Sequence, residues 1–215
     1  MKQNAKNKVI RLYQKGSYTR LFSYIRFWDA PYTQVEKLVP KKGTIVELGC
    51  GEGLFSNFLA VSEPKRKVIG IEIDKNRFKN ADKGLPNASF LYGDITKVTI
   101  PKADTVVLFH VLHHLHSYTA QSTLLRRVSL GIPKNGRLII VEVEPVFSIK
   151  YFVTWFTDHF LVPWLFEKRF YSPIYFREAQ DWKEQFTELN FDVKIKRYRK
   201  NMPFSHIVYE CIKIK

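Results

Sequence analysis

Cysteine is scarce in this chain: Cys50 and Cys211 are the two in 215 residues. They form neither a CxxC pair nor a disulfide framework, which fits a reducing compartment, and no metal site is expected from them. Acidic residues are also few. Twenty Asp and Glu stand against 35 Lys and Arg, a formal charge of +15, which points to an anionic partner: nucleic acid, a membrane surface or an acidic substrate. The basic N-terminus, MKQNAKNKVIRLYQKG, lacks the continuous apolar segment and small-residue cleavage site of a secretory signal. A cytoplasmic location is the expectation, with peripheral contact to an anionic membrane left open. Repeats, low-complexity tracts and linkers are missing too, so residues 1–215 are expected to fold as a single domain.

The patterning that is present changes character along the chain. Leu21, Phe22, Ile25 and Trp28 recur at helical spacing, predicting one or two basic amphipathic helices as a preface over residues 1–40. From Thr44 short apolar runs alternate with helical segments. The runs TIVELG (44–49), KVIGIEI (67–73), SFLYG (89–93), DTVVLFH (104–110) and RLIIVEVE (137–144) read as parallel strands covered on both faces. Asn135-Gly136, after Pro133-Lys134, predicts the turn into the fifth strand. Residues 177–190 predict an amphipathic helix with Asn190 as a left-handed cap, and FDVKIKRY and HIVYECIKIK predict a final antiparallel pair at the sheet edge. The expected fold is therefore α/β: a Rossmann-like, doubly wound, mostly parallel seven-stranded sheet with an N-terminal helical extension.

In VELGCGEGLF (46–55), Gly49, Gly51 and Gly53 fall where the first strand ends and a helix begins. Open α/β sheets bind ligands at such junctions, and glycine exposes backbone N–H groups there. Two phosphate-binding patterns are incomplete. A dinucleotide fingerprint needs glycine where Leu54 stands, and a P-loop needs a following GK[ST] that is absent. Glu47 and Glu52, which flank the loop, would repel a pyrophosphate and favour a cation. Glu72 ends the second strand, where a carboxylate can accept both ribose hydroxyls, and Asp94 follows the third, where one can accept from an exocyclic amine. Together these features describe a cationic ligand that carries adenosine.

VELGCGEG, GIEID, YGDI and LFHVLHHL, in this order, resemble the successive motifs of class I S-adenosylmethionine-dependent methyltransferases, over roughly residues 42–145. The resemblance implies S-adenosylmethionine as cofactor and S-adenosylhomocysteine as product. It also implies that Glu47, Gly49, Gly51 and Gly53 surround the methionine part, Glu72 the ribose, and Asp94 and Ile95 the adenine. His110 would sit near the sulfonium, facing the acceptor. Asp74 reads as a helix cap or as a second acceptor for the ribose beside Glu72, and Cys50 as a small residue in a tight turn.

Methyl transfer from a sulfonium needs alignment and exclusion of water more than it needs a base. His110, His113, His114 and His116 crowd the end of the fourth strand, and His110 and His114 are the candidates to deprotonate an acceptor hydroxyl. The aromatic block at 146–176, with Asp158, His159 and Pro163 inside its apolar core, is too interrupted to span a bilayer. In this family the corresponding segment commonly builds a lid or acceptor pocket, which implies a hydrophobic or aromatic small-molecule acceptor. A core hairpin and a membrane contact through Trp155, Phe160, Trp164 and Phe166 are the other readings. Nucleic acid is a weaker expectation, since the Asn/Asp-Pro-Pro-Tyr/Phe and Pro-Cys motifs of base methyltransferases are absent. A ribose methyltransferase acting on RNA, and a binding protein without turnover, are the alternatives.

Overall fold

A computed structural model of the chain describes residues 2–14, 17–143, 175–198 and 205–215. The aromatic block expected at 146–176 lies outside the described residues except at its end. The preface folds as three helices, α1 (Lys2–Leu12), α2 (Ser17–Asp29) and α3 (Tyr32–Glu36), one more than the periodicity suggests. Pro31 accounts for the extra break. It lacks an N–H and disfavours helical geometry in the residue before it, so α2 stops and a new helix starts beyond it.

The sheet comprises β1 (Gly43–Leu48), β2 (Arg66–Glu72), β3 (Ala88–Tyr92), β4 (Thr105–Phe109), β5 (Arg137–Val143), β6 (Phe191–Tyr198) and β7 (His206–Lys213). Their order is β3-β2-β1-β4-β5-β7-β6, with β7 antiparallel to both its neighbours and the other pairs parallel. The helices that connect or follow these strands are α4 (Leu54–Ser62), α5 (Lys75–Ala81), α6 (Tyr118–Gly131) and α7 (Ala179–Glu188). Asn135 and Asn190 both adopt positive φ, as their turn and cap positions require.

Alternation along the buried strands divides the core in two. Ile45, Val107, Ile139 and Val141 pack against α1, α3 and α4, whereas Val46, Leu48, Leu108 and Ile140 pack against α6 and α7. Strands are added to one side of β1 and then, from β4, to the other, so the loops after these two parallel strands part at a crevice where such sheets bind ligands. β7 is buried along almost its whole length even though its sequence alternates apolar and charged residues, because it is inserted between β5 and β6. Its polar side chains are paired: Glu210 with Arg137 and Lys196, and Lys213 with the Leu189 carbonyl.

In α2 the inward face is not the one read from the sequence. Phe27 and Ser23 are buried, while Leu21, Ile25 and Trp28 are exposed. Phe27 packs edge-on against Phe58 and Tyr32. Among the described residues no helix is long and apolar enough to cross a membrane.

Candidate active site

The loop after β1 is held open by backbone geometry that only glycine adopts cheaply. Gly49, Gly51 and Gly53 have φ of 73°, 55° and 70°. Their surroundings differ. A Cβ on Gly49 would lie 2.6 Å from Val111 Cγ2 and one on Gly53 would lie 2.9 Å from the Ala81 carbonyl, but one on Gly51 would meet nothing within 4 Å. Gly49 and Gly53 thus permit close packing, and Gly51 borders open space. The Gly49 and Cys50 amides donate to the Ile71 carbonyl, at 2.8 and 3.0 Å, fixing the loop to β2.

Three carboxyl side chains surround this loop, and all are buried: Glu47, Glu52 and Glu72. Glu72 accepts from the Gly51 amide at 2.7 Å and from the Asp74 amide at 2.7 Å, so the ribose position predicted for it is tied directly to the glycine loop. Burial pushes the Glu47 carboxyl up to about 8, against the opposing effect of its bond from Ser56, and Glu72 nearby adds to the rise. Glu52 is also raised, again chiefly by burial. Such a site is short of positive charge. A bound cation would draw Glu47 back to its carboxylate and release a proton, the electrostatic counterpart of a sulfonium or ammonium ligand.

Asp74 caps α5, accepting from the Asn76 and Arg77 amides. Ile73, which the motif reading passed over, is exposed between Glu72 and that cap, an apolar surface beside the carboxylate expected to meet the ribose. Asp94 accepts from the Thr96 amide and hydroxyl. Burial would raise its pKa, but these bonds and Lys97 outweigh it and the group is lowered. The Ile95 side chain is buried in the core, and its carbonyl accepts from Arg127 of α6, as do those of Thr96 and Val98. Cys50 is buried with a thiol raised by desolvation, which makes it a packing residue and no nucleophile.

His110 follows β4 with φ of 56°, unusual outside glycine. Its Nδ1 is 3.5 Å from Arg26 Nη2 and its Nε2 is 3.0 Å from His206 Nδ1; His206 Nε2 is 2.6 Å from the Asp29 carbonyl. A guanidinium only donates and a carbonyl only accepts, so the chain of bonds runs one way. Arg26 donates to His110 Nδ1, His110 Nε2–H to His206, and His206 Nε2–H to Asp29. Desolvation, then His206 and Arg26, hold His110 well below the usual imidazole range. It is a neutral ring whose lone pair faces Arg26.

The neighbouring His113 has a different setting. It is buried, and its Nδ1 forms a short contact with the buried Glu142 of β5, whose other oxygen accepts from the Leu112 amide at 3.0 Å. A carboxylate so placed fixes the orientation of the ring. His114 is exposed, with its ring 4.2 Å from that of His113, and His116 is exposed on the same loop. Of the two candidates, His110 is drawn into the Arg26–His206 relay and His114 is exposed, while His113 is buried against a carboxylate. The sequence held one signal for it: Glu142 is an acid within the otherwise apolar run RLIIVEV, where burial demands a partner.

The described chain on either side of the aromatic block converges here. β5 ends at Val143, next to Glu142, and the returning Tyr175 donates its amide to the His113 carbonyl at 2.9 Å while Phe176 stacks on the His113 ring. Gln121 of α6 donates to the Tyr175 carbonyl at 2.8 Å and secures that return.

A glycine loop between buried acids at a switch point, with a histidine turn across the crevice, defines an α/β domain for an adenosine-bearing cation. The model of one family, described as a methyltransferase domain, matches residues 18–194. The chain belongs to this family, on the fold of class I S-adenosylmethionine-dependent methyltransferases. It is similar to trans-aconitate 2-methyltransferase of Afipia carboxidovorans, 30% identical over 102 residues that cover 45% of this chain and 37% of that protein. It is also similar to daphnetin O-methyltransferase 1 of Secale cereale, 29% identical over 103 residues covering 46% and 28%. The matched region thus spans roughly a third of these relatives' length. Among solved structures, magnesium protoporphyrin IX methyltransferase from Synechocystis PCC 6803 superposes with a TM-score of 0.65 at 18% identity, over 94% of this chain and 91% of that one. Human N-acetylserotonin methyltransferase does so at 0.62 and 16%, over 98% and 57%.

Proposed function

We propose that this protein transfers the methyl group of S-adenosylmethionine to an oxygen of a hydrophobic or aromatic small molecule, leaving S-adenosylhomocysteine. The observation that carries the reading is the direct packing of the glycine loop on the histidine turn, Gly49 against Val111. It sets the buried acids that suit a cationic cofactor beside the His113–Glu142 pair that suits a hydroxyl acceptor. The names of two relatives, trans-aconitate 2-methyltransferase and daphnetin O-methyltransferase 1, support a small organic acceptor.

The cofactor supplies, when bound, a methyl group already activated by the positive sulfur. Glu72 holds the ribose hydroxyls, Asp94 the exocyclic amine and Ile73 the flat face of the base. Glu47 and Glu52 supply the negative field for the charged end, and Gly51 leaves room for it. Glu142 holds the His113 ring in place, and that imidazole takes the acceptor proton as the oxygen attacks. His110, fixed by Arg26 and His206, shapes the wall between the two sites.

The test is to incubate purified protein and methyl-labelled cofactor with a host extract, then separate small-molecule, lipid, protein and RNA pools. Label in an apolar small molecule is expected. Label confined to RNA would overturn the acceptor class, and binding of the cofactor with no labelled product would leave a protein that binds without turnover. With a labelled acceptor in hand, His113→Gln is expected to lower kcat by about 10²–10⁴-fold with cofactor affinity retained. An unchanged kcat would remove His113 from the chemistry.

A further inference from the structure

The outward face of α2 is apolar. Leu21, Tyr24, Ile25 and Trp28 are 60%, 51%, 44% and 61% exposed, and their spacing of i, i+3, i+4 and i+7 puts them in one stripe. The opposite face is already used: Phe27 packs in the core, and Arg26 and Asp29 join the His110–His206 relay. Charge around the stripe has one sign. Residues 1–42 hold ten Lys and Arg but only two acids, Asp29 and Glu36. Both acids are buried, paired with Arg26 and Arg66, whereas Lys8, Arg11 and Arg20 are exposed.

We propose that the outer face of α2 docks onto the surface of an anionic lipid bilayer. An aliphatic pair flanked by Tyr and Trp, on a helix amid basic residues, is the composition that settles at the boundary between headgroups and acyl chains. Other occupants fit less well. Two copies of this face would bring like charges together, and a nucleic acid offers Leu21 and Ile25 no apolar phase. Because the inner face of α2 touches His110, docking sets the methyl-transfer edge about one helix diameter, roughly 10 Å, from the headgroups. The inference is independent of the acceptor's identity.

The full chain is tested by flotation with phosphatidylcholine vesicles containing or lacking phosphatidylglycerol. Wild type is expected to float with the anionic vesicles, less so as salt is raised, and the double substitution Leu21→Glu with Ile25→Glu to reduce binding by about tenfold or more. Cofactor affinity and melting temperature should be little changed, since both side chains are exposed and neither belongs to the core. As a check on the unaltered surface, brominated lipid should quench tryptophan fluorescence in wild type and less in Trp28→Phe. Equal flotation of wild type and the double variant, no flotation of wild type, or a dimer that the substitutions dissociate would each overturn the proposal.

Discussion

Glu47 is a carboxyl group without solvent around it, and its proton reports on the site. Its pKa of about 8 lies above the ordinary value of 4.5, first because of burial. For an acid shifted this way, the folded chain keeps a proton that the unfolded chain releases between those two values, so stability falls as pH rises through that window and levels off above it. Between about pH 6 and pH 8 the expected loss from this group is about 2–3 kcal/mol, on the order of 5–10 °C in Tm. Thermal melts of wild type and Glu47→Gln without cofactor should show this slope in the former and a flatter one in the latter. Parallel curves would mean that Glu47 titrates normally. Gly51 illustrates the other kind of residue, where a missing side chain is the useful property: its φ is positive and the space beside it is open.

At the scale of elements, the preface and α6 act as clamps on the glycine loop and on the segment after β3. Tyr13, buried just after α1, donates to the Glu52 carbonyl at 2.7 Å and accepts from Asn57 Nδ2 at 2.9 Å. A residue outside the family motifs therefore joins the start of α4 to the glycine loop. Tyr13→Phe removes the hydroxyl but keeps the ring, and is expected to cost about 1–2 kcal/mol of stability. Because the loop loses an anchor, cofactor binding should weaken by about three- to tenfold. Calorimetry with S-adenosylmethionine measures this, and a variant that is destabilised but binds normally would show that the clamp serves folding alone. Arg127 performs the equivalent task from α6, through the carbonyls of Ile95, Thr96 and Val98.

The whole molecule is tied together by Arg66. Its guanidinium is buried against the Glu36 carboxylate and donates to the carbonyls of Glu36, Val39, Pro40 and Leu59, joining α3, the loop after it and α4 to β2. Arg66→Ala breaks a buried ion pair and removes the donor shared by four carbonyls, and is expected to cost about 3–5 kcal/mol, on the order of 10 °C in Tm; a loss under about 1 kcal/mol by denaturant titration would show that these segments are held together by other contacts. Features set by nearest neighbours could be read directly from the chain. The five strands beginning at TIVELG, the positive-φ glycines, the Asp74 cap and the left-handed Asn190 follow from local sterics and apolar runs, which need no distant partner. The aromatic block offered no comparable periodicity. Other features depend on elements remote in sequence. His113 is distinguished from His110 and His114 by Glu142, 29 positions on, and His110 is occupied by His206, 96 positions on. The direction of α2 was also a tertiary matter, since two faces competed and the one carrying Phe27 found Phe58 and Tyr32. Sequence alone determined the sheet and the glycine loop because backbone sterics and hydrophobic spacing act over a few residues. Only the tertiary structure decided which histidine meets a carboxylate and which side of α2 faces out, because hydrogen-bond partners and packing are chosen between distant segments.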